Sequence, residues 1–269
     1  MLFRSFNTSN KVALLHRRLS IIDLSNAGAQ PMKSDDDNFV IVFNGEIYNY
    51  IEIKNELIAH GVNFHSNSDT EVLIKAYLYW GESCLSHLNG MFAFAIYDII
   101  KDELFCARDR FGEKPFHYYF SDNVFIFSSE IKSILAYQSD IKIDKNVLQS
   151  YLDEKLVLDN VTTFFEDVYS LEPATSLSIK NKKLEKKVYW DIHISEQRLP
   201  FEIAKEKFES LFQKSIQLRL RSDVPVGSSL SGGLDSSSVV CSMHKMGVDR
   251  KSTRLNSSHA NISYAVFCL

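Results

Sequence analysis

The chain has 269 residues, carries 30 Lys and Arg against 34 Asp and Glu for a net charge of −4, and is 45% hydrophobic. That length holds one large or two medium domains with ample chain for a packed core, and the composition excludes a disordered, collagen-like or low-complexity protein. The mild acidity gives no electrostatic case for nucleic acid as the main partner, no uncharged run approaches the ~18 residues of a membrane span, and the four cysteines have neither metal nor disulfide spacing.

Val12 to Leu15 is a short apolar run before a basic turn, His16-Arg17-Arg18. Phe39 to Phe43 is β-branched and aromatic and predicts a strand, ended by the turn signal Asn44-Gly45. Apolar residues at Ile47, Tyr50, Ile51, Leu57 and Ile58 predict a helix over Ile47 to His60, stopped at Gly61. Ser68-Asp69-Thr70-Glu71 is a capping box opening a second helix through Trp80, stopped at Gly81. Met91 to Tyr97 and Glu103 to Ala107 read as buried strands, with a charged loop over Arg108 to Pro115. Phe116 to Phe120 and Val124 to Phe127 form a hairpin pattern, and Ser128 to Ala136 reads as helix. Several strands with two long helices predict α+β layers.

The second half has a different pattern. Lys180 to Lys187 reads as a lysine-rich turn, Ser195 to Pro200 is polar, and the domain boundary is expected between Asp191 and Pro200. An amphipathic helix follows over Phe201 to Leu220, then a strand over Val224 to Leu230, the run Ser231-Gly232-Gly233-Leu234-Asp235-Ser236-Ser237, and a helix over Ser238 to Lys245. Strand, glycine-rich loop and helix begin a parallel α/β domain. There are no internal repeats.

The glycine-rich run has a definite chemistry. Gly232 and Gly233 let the backbone approach an anion, and the hydroxyls of Ser231, Ser236 and Ser237 with the helix N-terminus favour phosphate. Asp235 repels bare phosphate, so its presence points to Mg²⁺ bridging it to the phosphates. The Walker lysine is missing. In the first half, Arg18, Asn44, Glu46 and Asp69 all lie at element ends. An arginine can grip a carboxylate, two acids can hold an ammonium, and the Asn44 side chain with the Gly45 N–H can stabilise an oxyanion. On the residues alone, Asn44-Gly45 reads equally as a hairpin turn, and Asp69 as a favourable charge at a helix start.

The segments HRRLSIID (16–23), QPM (30–32), FNGEIYNY (43–50), SDTEV (68–72), GMFAFAIYD (90–98), ARDRFGEKP (107–115) and SSEIKSIL (128–135) resemble the glutaminase domain of class II amidotransferases. Followed by SDVPVGSSLSGGLDSSSVV, their order resembles glutamine-hydrolysing asparagine synthetases of the bacterial type. The resemblance implies an Ntn-hydrolase αββα sandwich, lacking its N-terminal strand, over residues 6–195, and the start of an α/β PP-loop ATP-binding domain over residues 200–248. It implies glutamine binding by Arg18, Leu19, Ser20, Ile21, Ile22, Asn44, Gly45, Glu46 and Asp69, with Asn44 and Gly45 as oxyanion donors. It implies ATP contact by Leu230, Ser231, Gly232, Gly233, Leu234, Asp235, Ser236 and Ser237, with Mg²⁺ held by Asp235 through the phosphates. The implied reaction is ATP-dependent amidation of aspartate by ammonia from glutamine, through β-aspartyl-AMP, in a cytoplasmic homodimer with no membrane or nucleic-acid partner. Relatives acting on another carboxylate, such as those of cell-surface sugar clusters, and a non-catalytic glutamine-binding module are the alternative readings.

The sequence departs from this family at its ends. The family nucleophile is an N-terminal cysteine whose α-amine serves as base, yet Leu2 follows Met1 here, and Cys84, Cys106 and Cys241 are internal. Asp249 to Leu269 reads codon by codon as a translated sequencing adapter, and residues 1–5 fit the same adapter in the opposite sense. The expectation is that Phe6 to Val248 is the natural portion, inactive by itself and poorly soluble through unpaired sheet edges. His16 and His117 are expected to be structural, and Arg108-Asp109-Arg110 a salt-bridged loop.

Overall fold

The computed structural model describes residues 3–8, 12–121, 124–154, 161–247, 251–254 and 265–268. By internal contacts the chain divides into two units: Met1–Leu19 with Ser25–His193, and Ser20–Leu24 with Ile194–Leu269.

The first unit opens with an antiparallel pair, β1 (Phe3–Thr8) and β2 (Val12–Arg17). Its main sheet has six antiparallel strands. These are β3 (Met32–Lys33), β4 (Phe39–Ile47), β5 (Gly90–Asp98), β6 (Glu103–Arg108), β10 (Thr175–Lys180) and β11 (Lys183–Val188), in the order β11-β10-β6-β5-β4-β3. Between β4 and β5 the chain forms α1 (Tyr50–Ala59), α2 (Asp69–Trp80) and the one-turn α3 (Cys84–His87). A second sheet, β8-β7-β9, comprises β7 (His117–Ser121), β8 (Val124–Ser128) and β9 (Val168–Ser170). Helices α4 (Ile131–Tyr137) and α5 (Lys145–Glu154) lie between β8 and β9 in sequence.

Strand alternation sorts the β4 side chains between two cores. Ile41, Phe43 and Ile47 pack with Phe92, Phe94 and Ile96 of β5 beneath Ile53, Leu57, Leu73 and Ile74 of α1 and α2. Val40 and Val42 face the other way, with Ala93, Ala95 and Cys106, against Phe116, Tyr118 and Leu171 of the second sheet. Helix, sheet and sheet are thus joined by two apolar layers, and α4 packs on the outer face of β7 and β8. Burying one aliphatic or aromatic side chain contributes about 1.5–3 kcal/mol, so these layers carry the unit's stability.

Three expectations are corrected by the structure. Asn44-Gly45 is not a turn: β4 runs through it to Ile47, paired with β5 as far as Gly90. Gly45 has φ of +155°, and a Cβ there would lie 2.1 Å from the Met91 carbonyl oxygen, so glycine is what lets the strand continue. Consequently α1 begins at Tyr50 and Ile47 belongs to the strand. Second, the lysine-rich stretch is a turn only at Asn181 and Lys182, both at positive φ; Lys183–Val188 is the sheet's edge strand. Third, the capping box is only half made. Ser68 Oγ accepts from the Thr70 N–H, but the Glu71 carboxylate turns to the N–H groups of His65 and Ser66 and to buried Lys75.

The second unit contains α6 (Phe201–Arg219), β12 (Gly227–Leu230) and α7 (Leu234–Lys245). Two further short strands, β13 (Lys251–Arg254) and β14 (Ala265–Cys268), complete a three-stranded order β12-β14-β13. Helix α7 starts four residues before the sequence predicts, so Asp235, Ser236 and Ser237 belong to its first turn. No described helix is long and apolar enough to cross a membrane.

Candidate functional site

In the first unit, Arg18 and Glu46 both lie within electrostatic reach of Asp69. Arg18 follows the last residue of β2. Its guanidinium lies against Gly28, where a Cβ would sit 2.4 Å from Nη2, and donates from Nη1 to the Ser25 carbonyl at 3.2 Å. Glu46 is the penultimate residue of β4 and Asp69 the first of α2; both are buried. The Ile47 N–H donates to Asp69 Oδ2 at 3.1 Å, tying the helix start to the strand end.

Burial dominates the electrostatics. It pushes the Asp69 carboxyl up to about 7, against the Ile47 hydrogen bond, with Glu46 adding to the rise and Arg18 opposing it. Burial also raises Glu46, while the Lys114 ammonium opposes. Burial thus outweighs the nearby cations at both acids, and an incoming ammonium would favour their charged forms.

Asn44 and Glu46 share the face of β4 that looks toward the second sheet. The Asn44 amide Nδ2 donates to Ser129 Oγ at 3.3 Å. In an antiparallel ladder, alternate residues turn both backbone groups to the same edge. Phe43 and Ile47 donate their N–H groups to side chains beyond the sheet's β3 side, so the Gly45 N–H, midway between them, faces that edge too. Ser129 and Lys114 were not singled out by reading the sequence; both lie in motifs of the resemblance but carry no chemical signal of their own.

The other glutamine-site candidates divide. Leu19 is 72% exposed, and Ser20, Ile21 and Ile22 group with the second unit. There, Asp223 Oδ2 accepts from the Asp23 N–H at 2.7 Å, and the Asp223 N–H donates to the Ile21 carbonyl at 2.9 Å.

The charged loop after β6 is held by backbone contacts. The buried Asp109 carboxylate accepts from the N–H groups of Phe92, Phe111, Glu113 and Lys114. Arg108 donates to the carbonyls of Gly112, Lys114 and Leu171. Among the described residues these partners replace the expected salt bridge. His16 and His117 take structural bonds, to the Phe43 carbonyl and to Ser170 Oγ.

In the second unit, Leu230 ends β12 and Ser231 to Gly233 lead into α7. Ser236 Oγ meets Ser231 Oγ at 3.1 Å and accepts from the Ser231 N–H at 3.3 Å, drawing the loop across the helix start. Gly232 takes φ of +80°, and a Cβ there would meet nothing within 4 Å. Leu234 and Asp235 are exposed. Open space at Gly232, the nearby serine hydroxyls and a helix N-terminus suit a polyphosphate, and a single exposed carboxylate suits a hard cation. No group of three metal-ligating side chains occurs among the described residues.

Comparison with known proteins adds the ancestry. The family described as glutamine amidotransferase domain matches residues 4–190, and asparagine synthase matches residues 207–260. Asparagine synthetase [glutamine-hydrolyzing] 1 of Bacillus subtilis (strain 168) is 42% identical over 226 residues, covering 83% of this chain and 35% of the relative. A putative asparagine synthetase [glutamine-hydrolyzing] 2 of Methanocaldococcus jannaschii is 37% identical, covering 94% of this chain and 51% of the relative. Amidase chry2 of Gibberella zeae is 39% identical, covering 88% and 35%. The chain thus spans between about a third and a half of the length of these relatives.

Proposed function

The chain belongs to the glutamine amidotransferase domain family, and from that membership we propose that its first unit binds L-glutamine for release of the side-chain amide as ammonia. The observation that carries this reading is the grouping of one cation, Arg18, with two buried carboxyls, Glu46 and Asp69. An α-amino acid is their complement: Arg18 takes its carboxylate, and Glu46 with Asp69 its ammonium. Asn44 and the Gly45 N–H then receive the oxyanion that forms when the side-chain amide is attacked.

The nucleophile is a separate matter. Burial raises the Cys84 thiol to about 12 and Cys106 well above its usual range, so neither supplies a thiolate. Cys241 has no N-terminal amine to activate it. We therefore infer that none of these three cysteines attacks glutamine, and that the ligand binds here unreacted.

For the whole protein we propose ATP-dependent amidation of aspartate in the cytoplasm, as a homodimer. Residues Leu230 to Ser237 would hold the phosphates of ATP and Asp235 would hold Mg²⁺, which would neutralise their charge; the aspartate side-chain carboxylate would attack the α-phosphorus, forming the mixed anhydride β-aspartyl-AMP and releasing pyrophosphate. Ammonia from glutamine displaces AMP to give asparagine.

Titration calorimetry of the chain with L-glutamine tests the central claim, because an unreacted ligand gives an equilibrium. Saturable heat that is absent for D-glutamine and lost in R18A is expected. No heat with L-glutamine, or equal heat with D-glutamine, would overturn it.

A further inference from the structure

Phe43 sits where main-chain pairing on the outer edge of β4 runs out. Strand β3 partners β4 at Ile41 and Val40 and then ends. Beyond it, side chains take over the ladder. The Phe43 N–H donates to Gln30 Oε1 at 2.6 Å, and the Phe43 carbonyl accepts from His16 Nε2 at 3.1 Å. A carbonyl can only accept, so His16 carries its proton on Nε2; burial keeps its pKa below the usual histidine value, which favours this neutral form.

Gln30 is itself buried, and its amide has a second engagement. Nε2 donates to Thr70 Oγ1 at 3.1 Å. Thr70 follows Asp69 in the first turn of α2, and Phe43 precedes Asn44. One side-chain amide therefore spans from the residue before the oxyanion pair to the residue after the ammonium ligand. The Ile47–Asp69 bond makes the same crossing further along, so two ties flank the Gly45 N–H.

We propose that Gln30 is a positioning residue of the glutamine site: it fixes the distance between the strand edge bearing Asn44 and Gly45 and the helix start bearing Asp69. This rests on the glutamine reading above. Buried with both amide atoms engaged, Gln30 has no second low-energy orientation, since flipping it would set donor against donor at Phe43. Removing it strands the Phe43 N–H and the Thr70 hydroxyl away from water.

The test uses Gln30→Met, which keeps length and loses both bonds, Thr70→Val, which breaks only the far end, and Thr70→Ser, which restores it. Two quantities are read well below each variant's melting temperature: glutamine affinity by calorimetry, and ligand-free hydrogen exchange at the Gly45 and Ile47 amides. Q30M and T70V are expected to bind glutamine ~10-fold more weakly, equivalent to ~1.4 kcal/mol, and T70S within about twofold of the parent. Exchange at Ile47 should quicken ~10-fold in Q30M and T70V without ligand. A group that merely contributes stability would lower the melting temperature and leave the affinity of the folded fraction unchanged. Unaltered affinity and unaltered Ile47 exchange in a folded Q30M would overturn the proposal, and if Q30M does not fold, the same result in T70V would. Faster Ile47 exchange in the variants with no glutamine binding by the parent chain would uphold the tie and remove the glutamine reading.

Discussion

Replacing Asp69 with asparagine should make the protein more stable and empty its site at the same time. Asp69 is 5% exposed, and its carboxyl is raised from 3.8 to about 7 by burial first and by Glu46 in addition. The folded state therefore holds a proton that the unfolded chain releases. That contribution is complete below about pH 4 and is lost as pH rises through about 7. At ~1.4 kcal/mol per pH unit the full cost of ionising the buried acid is about 4 kcal/mol, of which ~3 kcal/mol falls between pH 5 and pH 8. Asparagine has the same shape, can still accept from the Ile47 N–H, and does not titrate. Urea unfolding of D69N and the parent at both pH values isolates Asp69 with its coupling to Glu46, because groups not coupled to it cancel in the difference. The D69N advantage should grow by ~3 kcal/mol from pH 5 to pH 8, while glutamine affinity falls ~10- to 100-fold for loss of a charged hydrogen bond of about 1.5–3 kcal/mol. A D69N difference that is the same at pH 5 and pH 8 would refute the reasoning.

Other substitutions probe neighbouring features. Gly45→Ala puts a Cβ 2.1 Å from the Met91 carbonyl oxygen at φ +155°, and a loss of at least ~3 kcal/mol in chemical denaturation is expected, with β4 and β5 forced apart. Gly28→Ala meets only the far end of the Arg18 side chain, so the melting temperature should hold within a few degrees while glutamine affinity drops ~10-fold in calorimetry. Asp109→Ala leaves four N–H groups without their acceptor and should cost about 3 kcal/mol or more, read as a shifted urea midpoint. Among Cys84, Cys106 and Cys241, only exposed Cys241 should react with iodoacetamide in the folded state, as peptide mass mapping would show.

Much of the layered fold is legible in the order of residues. The strands over Gly90–Asp98 and Glu103–Arg108 are long apolar runs, and α2 follows from its Ser68 cap and Gly81 stop. The failures have local causes. Asn-Gly is a turn signal because it tolerates positive φ, and β4 uses that tolerance for close strand contact instead. Lysines read as loop because they are polar, yet an edge strand exposes one face and one flank, and apart from Leu184 the strand Lys183–Val188 is exposed. Helix α5 carries Val147, Leu148, Tyr151 and Leu152 on one face, but it is short and polar on the whole, and the sequence reading places no element there. At the site, Arg18, Asn44, Glu46 and Asp69 were visible through their charge and placement. Gln30 and Thr70 were not, because a neutral amide and a hydroxyl 40 residues apart become meaningful only when the chain brings them together.

The two flanks of the six-stranded sheet bear on how the protein behaves at high concentration. An open flank is a template on which another chain can add itself strand by strand. At one end the template is two residues long, too short for stable addition, and the hydrogen-bonding groups beyond it are occupied by Gln30 and His16. At the other, Lys183 and Lys187 set like charges against a second copy that approaches in parallel register, while Lys186 is held by Glu172. Self-assembly through this sheet is thereby opposed by brevity on one side and by repulsion on the other.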